Sequence, residues 1–453
     1  MPFSRSSVLA AASGAAAAAL VVAPACTGAA QAANAVSHST GTLADGATWI
    51  ADTPADWNGT LLLFSHGFGP TSAADAPSAA AQSALLAEGY ALAGSSYDPH
   101  GSMWALTSAE RDQFATLDAF RSQIGRPSRV ISVGQSMGGL INAQIARDGA
   151  GRVDAALGLC GLVAGGVDLD NYQLDAEYTL ATFFDPADAD KLVSLPSAAD
   201  GAALADRLTQ TVTTAQQTPA GRARIALAAD YLNLSDWAPG QVPPATDDFA
   251  GQEVQQYDWI ANGLLSFIVP ARWSVEQSAG GNTSWNKGVD YAALLRKSAH
   301  APQVEALYRT AGLNLSADLG RLTRGARITA DPAAVARLRL SSTAGQGLSV
   351  PLLDLHTTSD QLVPVEQESA FAGRVRRAGD QALLRQAYVA RQGHCNFTTA
   401  EVVAGVHAVE QRLDSGHWGD AADPATLQRS AEQLGLDGAA FVPYRPARLS
   451  GVR

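Results

Sequence analysis

The pentapeptide Gly134-Gln135-Ser136-Met137-Gly138 sets one hydroxyl between glycines. The β-branched run "RVISV" precedes it and the helix-like "GLINAQIARDG" follows, so Ser136 falls on a strand-to-helix turn. That context suits a serine nucleophile, because such a turn lifts the side chain above the sheet and the helix N-terminus favours developing negative charge. A serine hydroxyl is a weak nucleophile at neutral pH. It needs a base, and the base needs an orienting acid. "RQGHCNF" offers His394 after the last strand pattern, and "LHTTSDQLVP" offers Asp360 just past the strand before it. The chain order Ser136, Asp360, His394 is the order this turn architecture requires.

Each partner has rivals among eight histidines and many acids. His407 lies within a helical pattern, and His300 and His417 follow no strand. His356 ends the strand that presents Asp360 and is a candidate for lining the site, as are Gln135 and Tyr97. Asp354 lies inside that strand, and Asp168 and Asp170 follow the fourth strand pattern, where an acid is also feasible. An acyl-transfer intermediate needs backbone N–H donors for its oxyanion. Met137, after the nucleophile, supplies one. Phe68, in the turn "SHGFGP", supplies the other, with His66 ordering that turn.

These residues require elements to hold them. "GTLLLFSHGFGP", "YALAGSSYDPHG", "RVISV" and "VDAALGLCG" read as strands, separated by the helical patterns "AAAQSALLAEG", "TSAERDQFATLDAFRSQIG" and "GLINAQIARDG". Strands alternating with helices imply an α/β fold with a parallel, doubly covered sheet. From about Asp168 to Gly345 the pattern is mainly helical and carries Phe183, Phe184, Tyr231, Trp237, Tyr257, Trp259, Phe267, Trp273 and Trp285. Alternation then resumes through "LSVPLLDLH", "VEQESAFAGRVRRAG", "ALLRQAYVARQGHCNF" and "TTAEVVAGVHAVEQRLDSG". The expected division is a signal peptide over 1–35, a first core part over 36–166, a helical lid or cap over 167–346 and a second core part over 347–453.

The 453-residue chain is 47% hydrophobic and 16% charged, enough apolar material for a large core, which argues against disorder. Its net charge of -12 argues against nucleic-acid binding. Of 31 basic residues only Lys191, Lys287 and Lys297 are lysine, a coding bias more than a functional choice. Arg5, the uncharged run after it and "AANA" at Ala32–Ala35 read as a cleavable secretory signal, so the chain is expected outside the cell without stable membrane insertion. Cys26 would leave with that signal. Cys160 and Cys395 remain, a candidate disulfide pair without zinc-ligand spacing.

The set "HGF", "GQSMGG", "TSDQLVP" and "GHCNF", in this order on alternating strands, resembles the α/β-hydrolase superfamily over about Asp52–Gly166 and Leu348–Gly416. The resemblance implies a mostly parallel eight-stranded sheet, a Ser-Asp-His triad and a lid inserted after the sixth strand. "HTTSDQLVP" is similar to the H-G-x-x-D-x-x-V-P segment of prolyl oligopeptidase-type and esterase members, with Thr357 at the glycine. "HC" at His394–Cys395 is similar to tannase and feruloyl esterase enzymes, in which that cysteine is bonded to one just before the serine. Gln135 stands before the serine here. The resemblance therefore implies a Cys160–Cys395 disulfide that pins the histidine loop, with Cys160 as the remaining partner. The expected protein is an exported serine hydrolase acting on a small or polymeric ester without metal or cofactor. A peptidase or amidase with the same triad is the alternative. Oligomeric state is not readable.

Overall fold

A computed structural model describes residues 35–436 and 438–453. Apart from Ala35, the expected signal peptide lies outside the described residues. The chain begins with β1 (Val36–Thr42) and β2 (Thr48–Pro54), an antiparallel ribbon. β3 (Thr60–Ser65), α1 (Ala79–Ala87), β4 (Ala91–Ser95), α2 (Ala109–Gln123), β5 (Arg129–Gln135), α3 (Met137–Asp148) and β6 (Ala155–Leu159) follow.

A helical insertion then runs from Gly166 to Ser342. It comprises α4 (Gly166–Phe184), α5 (Ala198–Ala215), α6 (Pro219–Tyr231), α7 (Phe249–Trp259), α8 (Leu265–Ala279), α9 (Tyr291–Leu295), α10 (Ala301–Thr310), α11 (Leu315–Gly325) and α12 (Pro332–Ser342). The sheet resumes with β7 (Leu352–Ser359), α13 (Glu366–Ala378), β8 (Leu384–Gln392), α14 (Thr399–Ser415), α15 (Pro424–Gln433) and β9 (Phe441–Val442).

The strand order is β1-β2-β4-β3-β5-β6-β7-β8-β9. The six strands from β4 to β8 pair in parallel, and both edges are antiparallel. The sheet thus has nine strands where eight were expected. The two-residue β9 pairs with Tyr388 and Val389 and is too short to leave a periodicity in the sequence. β1 was also missed, because "VSHSTGT" is polar and mostly exposed.

β3, β4 and β6 are buried along their whole length, as parallel strands covered on both faces must be. One apolar core lies under α1, α14 and α15. The other lies under α2 and α3 and continues into the insertion through Leu174, Ile225 and Ile268. The insertion is therefore packed into the sheet's own core. Helix starts follow local chemistry. Ser78 caps α1, and Thr398 and Glu401 form a capping box at α14, which fixes where the histidine-bearing loop ends.

Candidate active site

Ser136 is the N-cap of α3, with φ 59° and ψ -123°. Non-glycine residues seldom adopt this conformation, which costs about 1–3 kcal/mol and has to be imposed by the surroundings. The Ser136 N–H donates to the Leu159 carbonyl at 2.9 Å, tying the turn to β6. Gly134 and Gly138 let α3 close onto the sheet. A methyl on Gly134 would stand 2.0 Å from the Gly138 carbonyl oxygen, and one on Gly138 would stand 1.9 Å from that of Ser65.

Ser136 Oγ lies 2.8 Å from His394 Nε2, and His394 Nδ1 lies 2.7 Å from Asp360 Oδ2. The Asp360 Oδ1 accepts the N–H groups of Leu362 and Val363, each at 2.9 Å. Three residues from the ends of β5, β7 and β8 are thus brought into one hydrogen-bonded line. Burial raises the Asp360 carboxyl, but the His394 charge and hydrogen bond, with the His356 charge, outweigh it and hold the group below its usual range. An arrangement of this kind can deprotonate a hydroxyl, keep the imidazole in one tautomer and stabilise the imidazolium that forms.

The turn after β3 faces the serine. A methyl on Gly67 would stand 3.1 Å from Ser136 Cβ, and Phe68 lines the same cavity. His66 orders the turn: its Nδ1 lies 2.8 Å from the Gly67 carbonyl oxygen, and its ring stacks on Tyr97 at 4.1 Å. Tyr97 does not line the cavity. It is wholly buried behind the turn, where its hydroxyl donates to the His66 carbonyl at 3.0 Å. Met137 is the first residue of α3, so its N–H has no acceptor within the helix.

Cys160 and Cys395 are joined by a disulfide, with Cα atoms 5.3 Å apart. Both have positive φ, at 50° and 53°.

The cavity above Ser136 has a volume of about 260 Å³. Gln135, Ser136 and His394 stand at its base, and Phe68, Trp104, Leu162 and Leu362 supply apolar walls. The insertion supplies the opposite wall through Leu169, Asp170 and Gln173 of α4 and Phe267, Ile268, Ala271, Arg272 and Val275 of α8. Phe267 meets Phe68 edge-to-face at 5.8 Å. His356, expected at the site, is outside this lining. Its ring is fully buried behind Asp360.

The rival acids have other partners. Asp168 pairs with Arg374 and accepts the Arg453 N–H. Asp170 pairs with Arg272, 2.7 Å from its Nη1, and Glu177 lies 2.8 Å from Nη2. Thr283 and Ser284 hydroxyls also donate to Asp170. This buried polar cluster in the cavity wall was missed, since nothing local in the sequence pairs residues about a hundred positions apart.

The parallel sheet, the turn that carries Ser136 and the strand order define the class: the chain has the α/β-hydrolase fold. More particularly, it belongs to the family of the o-phthalyl amidase of Xanthobacter agilis, with 30% identity over 427 residues, 88% of this chain and 92% of that one. It is a hydrolase. No protein-family model matches it. Among solved structures it is similar to feruloyl esterase B of Aspergillus oryzae, at 12% identity, 83% and 80% coverage and a TM-score of 0.39. It is also similar to brefeldin A esterase, a bacterial homologue of human hormone-sensitive lipase, at 15% identity, 88% and 76% coverage and a TM-score of 0.36. No described helix is long and apolar enough to cross a membrane.

Proposed function

We propose that the protein is a serine hydrolase that cleaves amides of aromatic carboxylic acids through an acyl-enzyme. The observation that carries this reading is the Ser136–His394–Asp360 line, 2.8 and 2.7 Å long, at the base of a largely apolar cavity. Ser136 attacks the carbonyl while His394 takes its proton. Asp360 orients His394 and balances its charge. The N–H groups of Phe68 and Met137 bind the oxyanion. His394 then passes the proton to the leaving nitrogen, and water releases the acid. The cavity walls from α4 and α8 act as a lid that takes the aryl part of the substrate. The residue types at the N-terminus support export.

The identity to an o-phthalyl amidase favours the amide bond and an aromatic acyl group. Carboxylic ester cleavage is the second reading, because an acyl-enzyme forms from either and the apolar walls suit an aryl ester equally.

Labelling with a fluorophosphonate, followed by turnover of paired anilides and p-nitrophenyl esters of benzoic and phthalic acids, tests both levels. Ser136→Ala should abolish labelling and lower kcat by at least ~10⁴-fold with folding intact. An unchanged rate in that variant refutes the serine mechanism. Turnover of esters alone refutes the amide assignment and leaves the ester reading.

A further inference from the structure

His356 and Glu368 lie outside the cavity and have no role in the steps above. Both side chains are completely buried. His356 Nε2 lies 2.8 Å from the Val363 carbonyl oxygen, and Nδ1 lies 3.1 Å from Glu368 Oε1. Glu368 is held in turn by the Gln386 amide, which donates to its second carboxylate oxygen and, at 2.9 Å, to its carbonyl. His356 Nε2 is also 3.7 Å from Asp360 Oδ2, the oxygen that receives His394. A carbonyl and a carboxylate only accept, so both ring nitrogens require a proton, and a neutral imidazole carries one.

We propose that His356, clamped between Glu368 and the Val363 carbonyl, is a positioning residue for Asp360 and, through it, for His394. This rests on the serine mechanism proposed above. The contact to Val363 fixes the peptide turn whose N–H groups grip Asp360 Oδ1. The second effect is electrostatic. A positive charge on the far side of Asp360 keeps that carboxylate, the partner of His394, ionised as pH falls.

Burial alone would lower His356, but the Glu368 hydrogen bond and charge, with the Asp360 charge, outweigh it and push the group up to about 9. The other ionisable groups around this chain are Asp354 on β7, Glu366 on α13 with Asp236 beyond it, Tyr388 on β8 and Tyr172 on α4. Burial, with the Glu368 charge, pushes Asp354 well up, and burial pushes both tyrosines up, so the phenols stay neutral at working pH. Burial pushes Glu366 up to about 7. The His356 charge holds it lower than burial alone would, so loss of that charge raises Glu366 in the same direction as Asp360.

Removal of the positive charge leaves Asp360 holding a proton more tightly. In both His356→Gln and Glu368→Gln, the acid limb of the kcat/KM profile should move to higher pH by about half a unit or more. The double variant should move no further than the larger single shift, because both act through one charge. A loss of kcat equal at every pH, with the limb unmoved in both single variants, overturns the proposal. Should His356→Gln fail to fold, Glu368→Gln, which keeps the side-chain shape, decides the matter. Wild-type imidazole NMR at pH 8 supplies an independent reading: His356 should show two protonated nitrogens, and a neutral ring there refutes the proposal. Activity surviving in Ser136→Ala refutes the serine mechanism itself. An inactive Ser136→Ala with an unmoved limb refutes the role of His356 alone.

Discussion

The Cys160–Cys395 bond closes a loop with a sequence separation of 235 residues. Cys395 follows His394 directly. Cys160 follows Leu159, whose carbonyl receives the Ser136 N–H. The bond therefore joins the loop that carries His394 to the strand that fixes the turn of Ser136. Replacing both cysteines by alanine frees the unfolded chain. For a loop of this length the chain-entropy relation gives about 5.5 kcal/mol at 25 °C, just above the usual range for disulfides. With an unfolding entropy of about 2.1 cal/mol/K per residue over the described chain, that corresponds to a fall in Tm of about 6 °C. The catalytic effect should be separate. Without the bond, His394 gains freedom relative to Ser136, and a displacement near 1 Å costs on the order of 10²-fold in rate. Scanning calorimetry beside kcat and KM measurements on the double variant reads both. The Tm should fall, and kcat should fall more than KM changes. A variant that melts within about 1 °C of wild type and keeps its kcat would show that the bond neither restrains the unfolded chain nor holds His394.

Two further outcomes follow from buried charges in the insertion. Arg272→Met leaves Asp170 and Glu177 without their cation in a site with no exposure, and should cost about 3–5 kcal/mol in urea unfolding at pH 8. The cost should be smaller at pH 5, because burial pushes Glu177 up to about 7 and the glutamate is then neutral. Equal costs at the two pH values refute that account. Glu253 is buried beside Gln216, and burial raises it from 4.5 to about 7. A carboxyl raised in the folded state favours folding below its unfolded value and loses that contribution as pH rises through the folded one. Glu253→Gln should therefore match wild type near pH 4 and gain on the order of 3 kcal/mol at pH 8. A gain at pH 4 equal to that at pH 8 refutes it.

Ser136, Asp360 and His394 were legible in the sequence because each sits at a strand end, where element order dictates position. The elbow carries its own signature, since Gly134 and Gly138 occupy points where any larger residue would meet backbone oxygen. Tyr97 and His356 were misplaced for a common reason. Each stands at or just past the carboxyl end of a strand, as site residues do, but a pattern along one strand does not say which side chains turn back into the core. Tyr97 turns under His66, and His356 turns toward α13, where Glu368 waits. Asp170 was weighed as a catalytic acid because of its place after β6. Its actual partner, Arg272, comes from a helix 102 residues later, and such pairing is set by tertiary packing alone.

The site divides between two sources. The reactive line comes from β5, β7 and β8, and one wall of the cavity comes from α4 and α8. That wall is held by the ion cluster: Asp170 and Glu177 on α4 grip Arg272 on α8, and Ser284 on the following loop lies 2.7 Å from Arg272 Nη1 and donates to Asp170. A charged pair with its hydrogen bonds met on three segments resists sliding of one helix past the other, because any shift strands a buried charge. The apolar residues that line the cavity, Leu169 and Ile268 among them, are thereby carried on a wall of fixed spacing. Phe267, at 43% exposure, stands where α8 reaches the solvent and packs on Phe68 of the turn after β3. On the proposed function, selection of the acyl group would therefore be built into the insertion, while the hydrogen-bonded line of Ser136, His394 and Asp360 comes from the strand ends alone.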